Sequence, residues 1–241
     1  MALDSPTSRF LTQLRADGRS PHTVRQYARH LALLAHWWGR EGSGCDLDAI
    51  DHHDLASFLA SDSALLRPDG EPKKAASMNA LRTSLRGFFD YLTRSGVLAS
   101  NPARVVRMAR VPVVAPRPLK PAETARLRSA LAAATGTAGR RDRALFGFLI
   151  ATGARLGSAL AMDVTDVDLD AQEVHLSELK GGGALTVYAN ADATTLLREA
   201  IGERRRGPVF CAQGGGRLSA RHAQRRFEHW LDVAGIPPRY S

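Results

Sequence analysis

A cluster of prolines divides this chain into two halves of different texture. Four prolines fall within ten residues, in the stretch "VPVVAPRPLKP" from 111 to 121. A proline ring fixes φ and removes the backbone donor, so this stretch cannot continue a helix and suits an extended connection. The cluster therefore predicts two domains, over 1–111 and 121–241, joined by a linker over 112–120.

The first half has the periodicity of packed helices. Apolar residues recur at spacings of three and four, with polar breaks between the periodic segments. One segment opens with Ser20 as a predicted N-cap followed by Pro21, and another closes with Gly96 as a predicted C-cap. The pattern predicts an all-helical bundle, with helices within 7–18, 20–42, 51–61 and 74–96.

The second half mixes helical and strand patterns. Near-alternation of apolar and polar residues predicts short strands, and Gly181, Gly182 and Gly183 predict a tight hairpin turn between the last two of them. The fold class predicted is therefore mainly α, with helices around a small antiparallel sheet in the second domain. The helices are predicted within 121–135, 141–152, 191–206 and 219–235, and the strands within 163–170, 173–179 and 184–190.

Charge and cysteine content limit the partners and the compartment. Lys and Arg number 33 against 24 Asp and Glu, a formal net charge of +9. This balance favours a polyanionic partner such as nucleic acid or an acidic membrane surface, with a general solubility charge as the open alternative.

Cys45 and Cys211 fit neither a redox pair nor a metal site by their spacing, which indicates a reducing compartment. No targeting or membrane-spanning segment is evident, so we expect a cytoplasmic protein with no membrane partner.

Arg155 stands inside the apolar stretch "GFLIATGARLGSALAMDV", residues 147–164. We expect it to be buried, where a guanidinium is tolerated only beside an anion. One candidate anion is a carboxylate just downstream, at Asp163, Asp166 or Asp168. The other is an external phosphate, because the planar guanidinium can hold two phosphate oxygens at once. The residues alone leave both alternatives open.

Three further stretches occur in an order that is typical of one enzyme family. The first stretch extends from "GRSPHTVRQYARHLALLAHWW" to "LRGFFDYLTRSGVLASNPA". The second is "RDRALFGFLIATGARLGSALAMDVTDVDL", which contains Arg155, and the third is "LKGGGALTVYAN". Together they resemble the tyrosine recombinases, also called phage integrases. The first is similar to the helical, SAM-like core-binding domain of that family, the second to its Thr-Gly-x-Arg turn, and the third to its lysine-bearing hairpin.

The resemblance implies a reaction and two catalytic residues. It implies that duplex DNA is cut and rejoined through a 3′-phosphotyrosyl intermediate by a homo-oligomer, a tetramer on paired sites, with no metal and no nucleotide cofactor. Arg155 then stabilises charge on the phosphate, and Lys180 is the general acid for the leaving 5′-oxygen. A solvated turn residue is the open alternative for Lys180.

The sequence departs from the family pattern in two places. Gly157 and Ser158 stand where the family usually has a small residue followed by Glu. The family's His-x-x-Arg box follows a segment like "RRFEHWLDVAGIPPRYS", so the box and the nucleophilic Tyr are expected beyond Ser241. The catalytic domain over 121–241 is therefore expected to be partial. A non-catalytic DNA-binding module, which acts as a competitor, a regulator or a mobile-element remnant, is the alternative to a recombinase.

Two sets of residues mimic the missing parts. The "HAQR" stretch from His222 to Arg225 has the His-x-x-Arg spacing, but we interpret it as the basic face of an amphipathic helix. The tyrosines of the chain are not expected to be nucleophiles, since two belong to the helical bundle, one to a strand and one to the segment before the missing box. They are Tyr27, Tyr91, Tyr188 and Tyr240.

Basic residues beside the apolar stripe of the fourth helix are predicted DNA contacts. They are Lys73, Lys74, Arg82 and Arg86. For Arg86, an ion pair with Asp90 four residues on is the open alternative.

Two other polar runs are predicted to serve the fold. The "DHHD" run from 51 to 54 is interpreted as a helix cap rather than a metal site. The arginines at 204–206 are interpreted as a solvated helix end.

Overall fold

The computed structural model describes residues 4–41, 47–112, 117–177 and 183–237. The chain divides into two compact units, Met1–Val114 and Ala115–Ser241. Within the described ranges, no helix combines the length and apolar character needed to cross a membrane. Each unit has its own hydrophobic core.

The first unit is helical, as its periodicity predicts. Its core contains fully buried aromatic side chains, Phe58 and Phe88 among them, and leucines from three helices. The helices are α1 (Asp4–Ala16), α2 (Pro21–Glu41), α3 (His52–Ala60), α4 (Asp62–Leu65) and α5 (Ala75–Arg94), with single 3-10 turns at Leu47–Ala49 and Pro102–Val105. The short helix α4 was not predicted, because one turn is too short to show a period.

Polar side chains set the helix ends where the sequence predicts caps. The hydroxyl of Ser20 accepts a hydrogen bond from the backbone N–H of Thr23 at 3.2 Å. In the "DHHD" run, Asp51 Oδ1 accepts the backbone N–H groups of His53 and Asp54, while Asp54 Oδ2 accepts the backbone N–H of Asp51. These bonds to the charged form lower the pKa of Asp51. The run is therefore a capping box, as expected.

The second unit surrounds a small sheet with helices. The helices are α6 (Pro121–Ala132), α7 (Gly136–Thr152), α8 (Leu156–Ala161), α9 (Ala191–Ile201) and α10 (Ala220–Val233), and the strands are β1 (Val167–Asp168), β2 (Glu173–Leu176) and β3 (Leu185–Tyr188). The sheet is antiparallel in the order β1-β2-β3, with Val174 opposite both Val167 and Val187. This confirms the mainly α fold with a small antiparallel sheet.

The strand predicted over 163–170 is mostly turn. It forms a 3-10 turn at Val164–Asp166 and then only the two residues of β1. Asp166 Oδ2 accepts the backbone N–H of Asp163, and Asp168 Oδ1 accepts those of Asp170 and Ala171. Aspartates that satisfy nearby backbone groups in this way compete with strand pairing. The predicted strand is therefore confirmed only at Val167–Asp168, because apolar alternation in a sequence does not show these local hydrogen bonds.

Candidate functional site

Arg155 lies on a turn between two helices, and it is exposed. Helix α7 ends at Thr152, and Gly153 adopts a left-handed φ of +66° that a side chain would disfavour. The Thr152 hydroxyl accepts the backbone N–H of Ala154 at 3.2 Å, which fixes the turn. Arg155 then takes the extended N-cap position of α8, with φ −69° and ψ 141°. The prediction that Arg155 is buried is therefore wrong, because the chain reverses at Gly153 and turns this residue outward.

The three downstream carboxylates are engaged elsewhere. Asp163 Oδ1 accepts a hydrogen bond from Arg217 Nη2 at 2.6 Å. Asp166 and Asp168 accept the backbone N–H groups described above. Arg155 itself makes no side-chain hydrogen bond or ion pair with any residue that the structure describes. The intramolecular ion pair expected as one alternative is thus absent from this part of the chain.

The predicted hairpin lysine falls in an interval for which the structure gives no description. Lys180 lies within 178–182, outside the described residues. Cys45 and Tyr240 lie in other intervals that are also outside the described residues. The strands on either side of the interval, β2 and β3, pair antiparallel as predicted. The role of Lys180 therefore stays a prediction.

A second arginine cluster in this unit was missed by the sequence reasoning. Asp142 on α7 is fully buried, and its Oδ1 accepts Nε and Nη2 of Arg141 at 2.9 and 2.6 Å. Its Oδ2 accepts Arg226 Nε at 2.6 Å and the Trp230 indole N–H at 3.0 Å. Arg141 also donates to the carbonyl of Cys211 at 3.2 Å. The network ties α7 to α10 and to the segment before α10.

Helix α10 explains the "HAQR" run. Ala223 within the run is buried, His222 is half-buried and Arg225 is exposed. The backbone N–H of His222 donates to the Ser219 hydroxyl at 3.2 Å, which caps the helix. The amphipathic helix is confirmed, and its Arg226 is the inward-facing member that the pattern did not reveal.

The run at 204–206 also divides between fold and surface. The predicted helix over 191–206 ends at Ile201, and Arg204 turns back to donate to the carbonyls of Ala200 and Ile201 at 2.8 and 3.1 Å. It also donates to Pro208 and Val209 carbonyls. Arg204 is therefore a structural residue that satisfies a helix end, and only Arg205 and Arg206 are exposed as expected.

The three tyrosines that the structure describes lie in the elements where the sequence analysis expects them. Tyr27 and Tyr91 are half-buried and pack against the Phe10 ring, with centroid distances of 5.6 and 5.2 Å. Tyr188 is 71% exposed on β3. Among the described residues, no three His, Cys, Asp or Glu side chains form a group that could hold a metal ion.

The two predicted lysine contacts differ in their surroundings. The Lys73 ammonium donates to the carbonyls of Ser63 and Ala64 at 3.2 and 2.7 Å, next to the end of α4. Burial, and then the charge of Arg29, lower the pKa of Lys73. Lys74 is exposed. Lys73 thus has a structural role, which uses two of its three ammonium N–H donors.

The two predicted arginine contacts lie on α5. Arg82 is half-buried and donates to Asn79 Oδ1 at 3.3 Å. Arg86 is exposed, and the Asp90 carboxylate lies 3.6 Å from Arg94 instead. The Arg86 to Asp90 ion pair is therefore absent, and in the described chain Arg86 has no hydrogen-bonding or ionic partner.

Comparison with known families decides the relationship that these features suggest. The phage integrase family model matches residues 118–241, and the model of the phage integrase N-terminal SAM-like domain matches residues 8–96. The chain belongs to the phage integrase family. The two matched segments lie in the order that the resemblance predicted, and Arg155 falls inside the segment from 118 to 241.

Curated relatives of this integrase-family chain are tyrosine recombinases. It is 30% identical over 226 residues to the tyrosine recombinase XerC of Xylella fastidiosa, covering 91% of this chain and 72% of the relative. It is 28% identical over 237 residues to XerC of Chromobacterium violaceum, covering 97% of this chain and 75% of the relative. Against XerD of Ralstonia nicotianae the identity is 29%, over 88% of this chain and 71% of the relative.

Solved integrases share the fold. A lambda integrase tetramer bound to a Holliday junction superposes with a TM-score of 0.72 at 19% identity, over 100% of this chain and 68% of that chain. The Tn1549 transposon integrase in complex with a circular intermediate DNA gives a TM-score of 0.69 at 15% identity, over 100% of this chain and 82% of that chain. These likenesses confirm the SAM-like bundle and the integrase catalytic fold.

Proposed function

We propose that this chain binds duplex DNA for site-specific strand exchange, and that Arg155 holds a phosphate of the strand that is cut. Family membership supports the proposal, because the similar curated proteins are named tyrosine recombinases and the similar solved integrases carry DNA. The single observation that carries it is the state of Arg155. Its guanidinium is exposed and unpartnered in the described chain, although three aspartates follow it within thirteen residues.

The chemistry assigns Arg155 one task. When a hydroxyl attacks the phosphorus, a new O–P bond forms while the bond to the 5′-oxygen breaks, and negative charge grows on the non-bridging oxygens. A guanidinium that donates to two of those oxygens stabilises that charge. The resemblance assigns the attack to a tyrosine hydroxyl, and Lys180 is proposed to give the leaving 5′-oxygen its proton.

Basic residues near α5 are proposed to hold the DNA backbone. Lys74 and Arg86 are exposed, Arg82 keeps free donors beyond its bond to Asn79, and Lys73 retains one N–H. Each phosphate that such a side chain neutralises releases condensed counterions, so binding weakens as salt rises. The net charge of +9 acts in the same direction.

The assembly is also proposed from the neighbours. Lambda integrase has been solved as a dimer on a core site and as a tetramer on a Holliday junction. We expect this chain to form a homo-oligomer on DNA, a tetramer on paired sites. The mechanism uses no nucleotide cofactor, since the nucleophile and the acid are side chains.

Two assays on the full chain test the proposal. Fluorescence anisotropy with a short labelled duplex measures affinity, and we expect Arg86→Ala to weaken it more than the control Arg94→Ala, whose guanidinium lies beside Asp90 on the same helix. A nicked suicide substrate then traps any covalent protein–DNA adduct. Binding with an adduct indicates a recombinase, and binding without one indicates the non-catalytic DNA-binding module. A chain that fails to bind duplex DNA at low salt contradicts the proposal.

A further inference from the structure

The exit segment, residues 106–112, is hydrogen-bonded to α5 by the side chain of Asn79. Asn79 Nδ2 donates to the carbonyl of Ala109 at 2.8 Å, and Asn79 Oδ1 accepts the backbone N–H of Ala109, also at 2.8 Å. The amide thus satisfies both backbone groups of a residue thirty positions away, as a neighbouring strand would. No helix or strand is formed over 106–112, so the backbone of this segment is not held by secondary structure.

The same amide also holds an arginine. Asn79 Oδ1 accepts a second hydrogen bond, from Arg82 Nη1 at 3.3 Å. Asn79 therefore connects the exit segment to one of the cations proposed to hold DNA.

The fastened segment is itself cationic. Arg107 and Arg110 lie on either side of Ala109, and both are exposed. Neither has a hydrogen bond or an ion pair to any described residue. The backbone between these two arginines is thus bonded to the same amide as Arg82, and no carboxylate among the described residues pairs with either guanidinium. This arrangement favours a polyanion over a protein surface of mixed charge.

We propose that Asn79 is a positioning residue, which holds Arg107 and Arg110 beside Arg82 so that the three arginines contact the DNA backbone together. This inference rests on the proposed function, because it assumes that duplex DNA is the ligand. It adds two contacts on the exit segment and one side chain that acts through them. Loss of Asn79 would leave all three arginines present but would free the segment, and the conformational entropy needed to order it on DNA would then cancel the gain from the phosphate contacts of Arg107 and Arg110, so that these two contacts are lost.

The test is a double-mutant cycle in the full chain, measured by anisotropy with a short duplex between about 50 and 200 mM salt. We expect Asn79→Ala to weaken binding about tenfold and to lower the salt slope by about two, one for each arginine released. In an Arg107→Ala/Arg110→Ala background, the same substitution should weaken binding less than about threefold, the remainder coming from Arg82. Thr83→Ala, an exposed position on the same helix, is the control and should leave affinity unchanged.

A second variant breaks the same contact from the other side. Ala109→Pro removes the N–H that Asn79 accepts, at a residue outside the hydrophobic core, and should reproduce the loss of affinity and of salt slope. Equal losses for Asn79→Ala in both backgrounds, or no loss from either variant while Arg86→Ala still weakens binding, overturn this inference and leave the proposed function standing. A wild-type chain that does not bind duplex DNA overturns both.

Discussion

Two groups of arginines in the second unit, the pair around Asp142 and the lone Arg155, have opposite environments. Arg141 and Arg226 reach a carboxylate that is fully buried, whereas Arg155 stands exposed with no partner in the described chain. The first pair has its anion inside the protein and therefore serves the fold. Arg155 has no such anion among the described residues, which supports the proposal that it holds an external phosphate. The two environments differ in whether a carboxylate of the protein hydrogen-bonds the guanidinium. The apolar character of the flanking sequence does not predict this difference.

The largest effect is expected from removing the buried carboxylate. Asp142→Ala should lower the free energy of unfolding of the second unit by about 3–5 kcal/mol, because it leaves guanidinium groups and an indole N–H without their acceptor. Urea unfolding followed by tryptophan fluorescence and circular dichroism measures this. The control is Asp170→Ala, since Asp170 is 94% exposed in its pair with Arg198 and should change stability by less than about 0.5 kcal/mol. Equal effects for the two variants would contradict the assigned role of Asp142.

A smaller loss is expected from one of the donors. Arg226→Ala should lower the free energy of unfolding by about 1.5–3 kcal/mol, because a charged hydrogen bond is lost while Arg141 and Trp230 still satisfy part of Asp142. Arg225→Ala removes the same charge from an exposed neighbour on the same helix and should have almost no effect. If both substitutions cost the same, the comparison between inward and outward arginines fails.

In the first unit, a half-buried and an exposed histidine on α2, His30 and His36, differ in the same way. His30 is half-buried, and burial, assisted by the charges of Arg29 and Lys73, lowers its pKa from 6.5 to about 4. The Ser84 hydroxyl donates to the carbonyl of Ala80 at 3.1 Å, so it accepts the Nδ1–H of a neutral His30 at 2.8 Å. His30 therefore becomes protonated near pH 6.5 in the unfolded chain but only near pH 4 in the folded chain.

This difference makes the stability of the first unit depend on pH. The free energy of unfolding should fall as the pH is lowered from 6.5 towards about 4, and the contribution of His30 should be constant above 6.5. His30→Gln, which keeps a donor for Ser84, should flatten the profile in that window. His36→Gln, at an exposed site on the same helix, should keep the wild-type profile. A wild-type profile in the His30→Gln chain would show that His30 does not cause this pH dependence.

Sequence reasoning predicted those parts of the fold that local chemistry sets. Helix α2 begins at Pro21 after its Ser20 cap, and the capping role expected for the run from 51 to 54 is confirmed by the capping box at Asp51. Alternation predicted the strands β2 and β3, and the glycines between them predicted the hairpin that pairs the two strands antiparallel. Each of these features depends on residues within a few positions of one another, which a pattern can show.

The contacts that decide the roles of the arginines lie far apart in the chain. Asp142 meets Arg226 and Trp230 across 84 and 88 positions, and Asn79 meets Ala109 across 30. The exposure of Arg155 depends on the reversal at Gly153, and the same apolar letters would also fit a buried segment. The charge within an apolar stretch singled out Arg155 in the sequence, but the exposure of its side chain required the structure.

The most direct test of the contrast measures stability and DNA affinity on the same Arg155→Ala sample. We expect unfolding free energy within about 0.5 kcal/mol of wild type, together with about tenfold weaker binding and a salt slope smaller by about one. Arg205→Ala, which removes the same charge from another exposed site of the second unit, should leave affinity nearly unchanged. An Arg155→Ala chain that loses stability as Arg226→Ala does, and binds DNA as tightly as Arg205→Ala, would contradict the role of Arg155 as the ligand of an external phosphate.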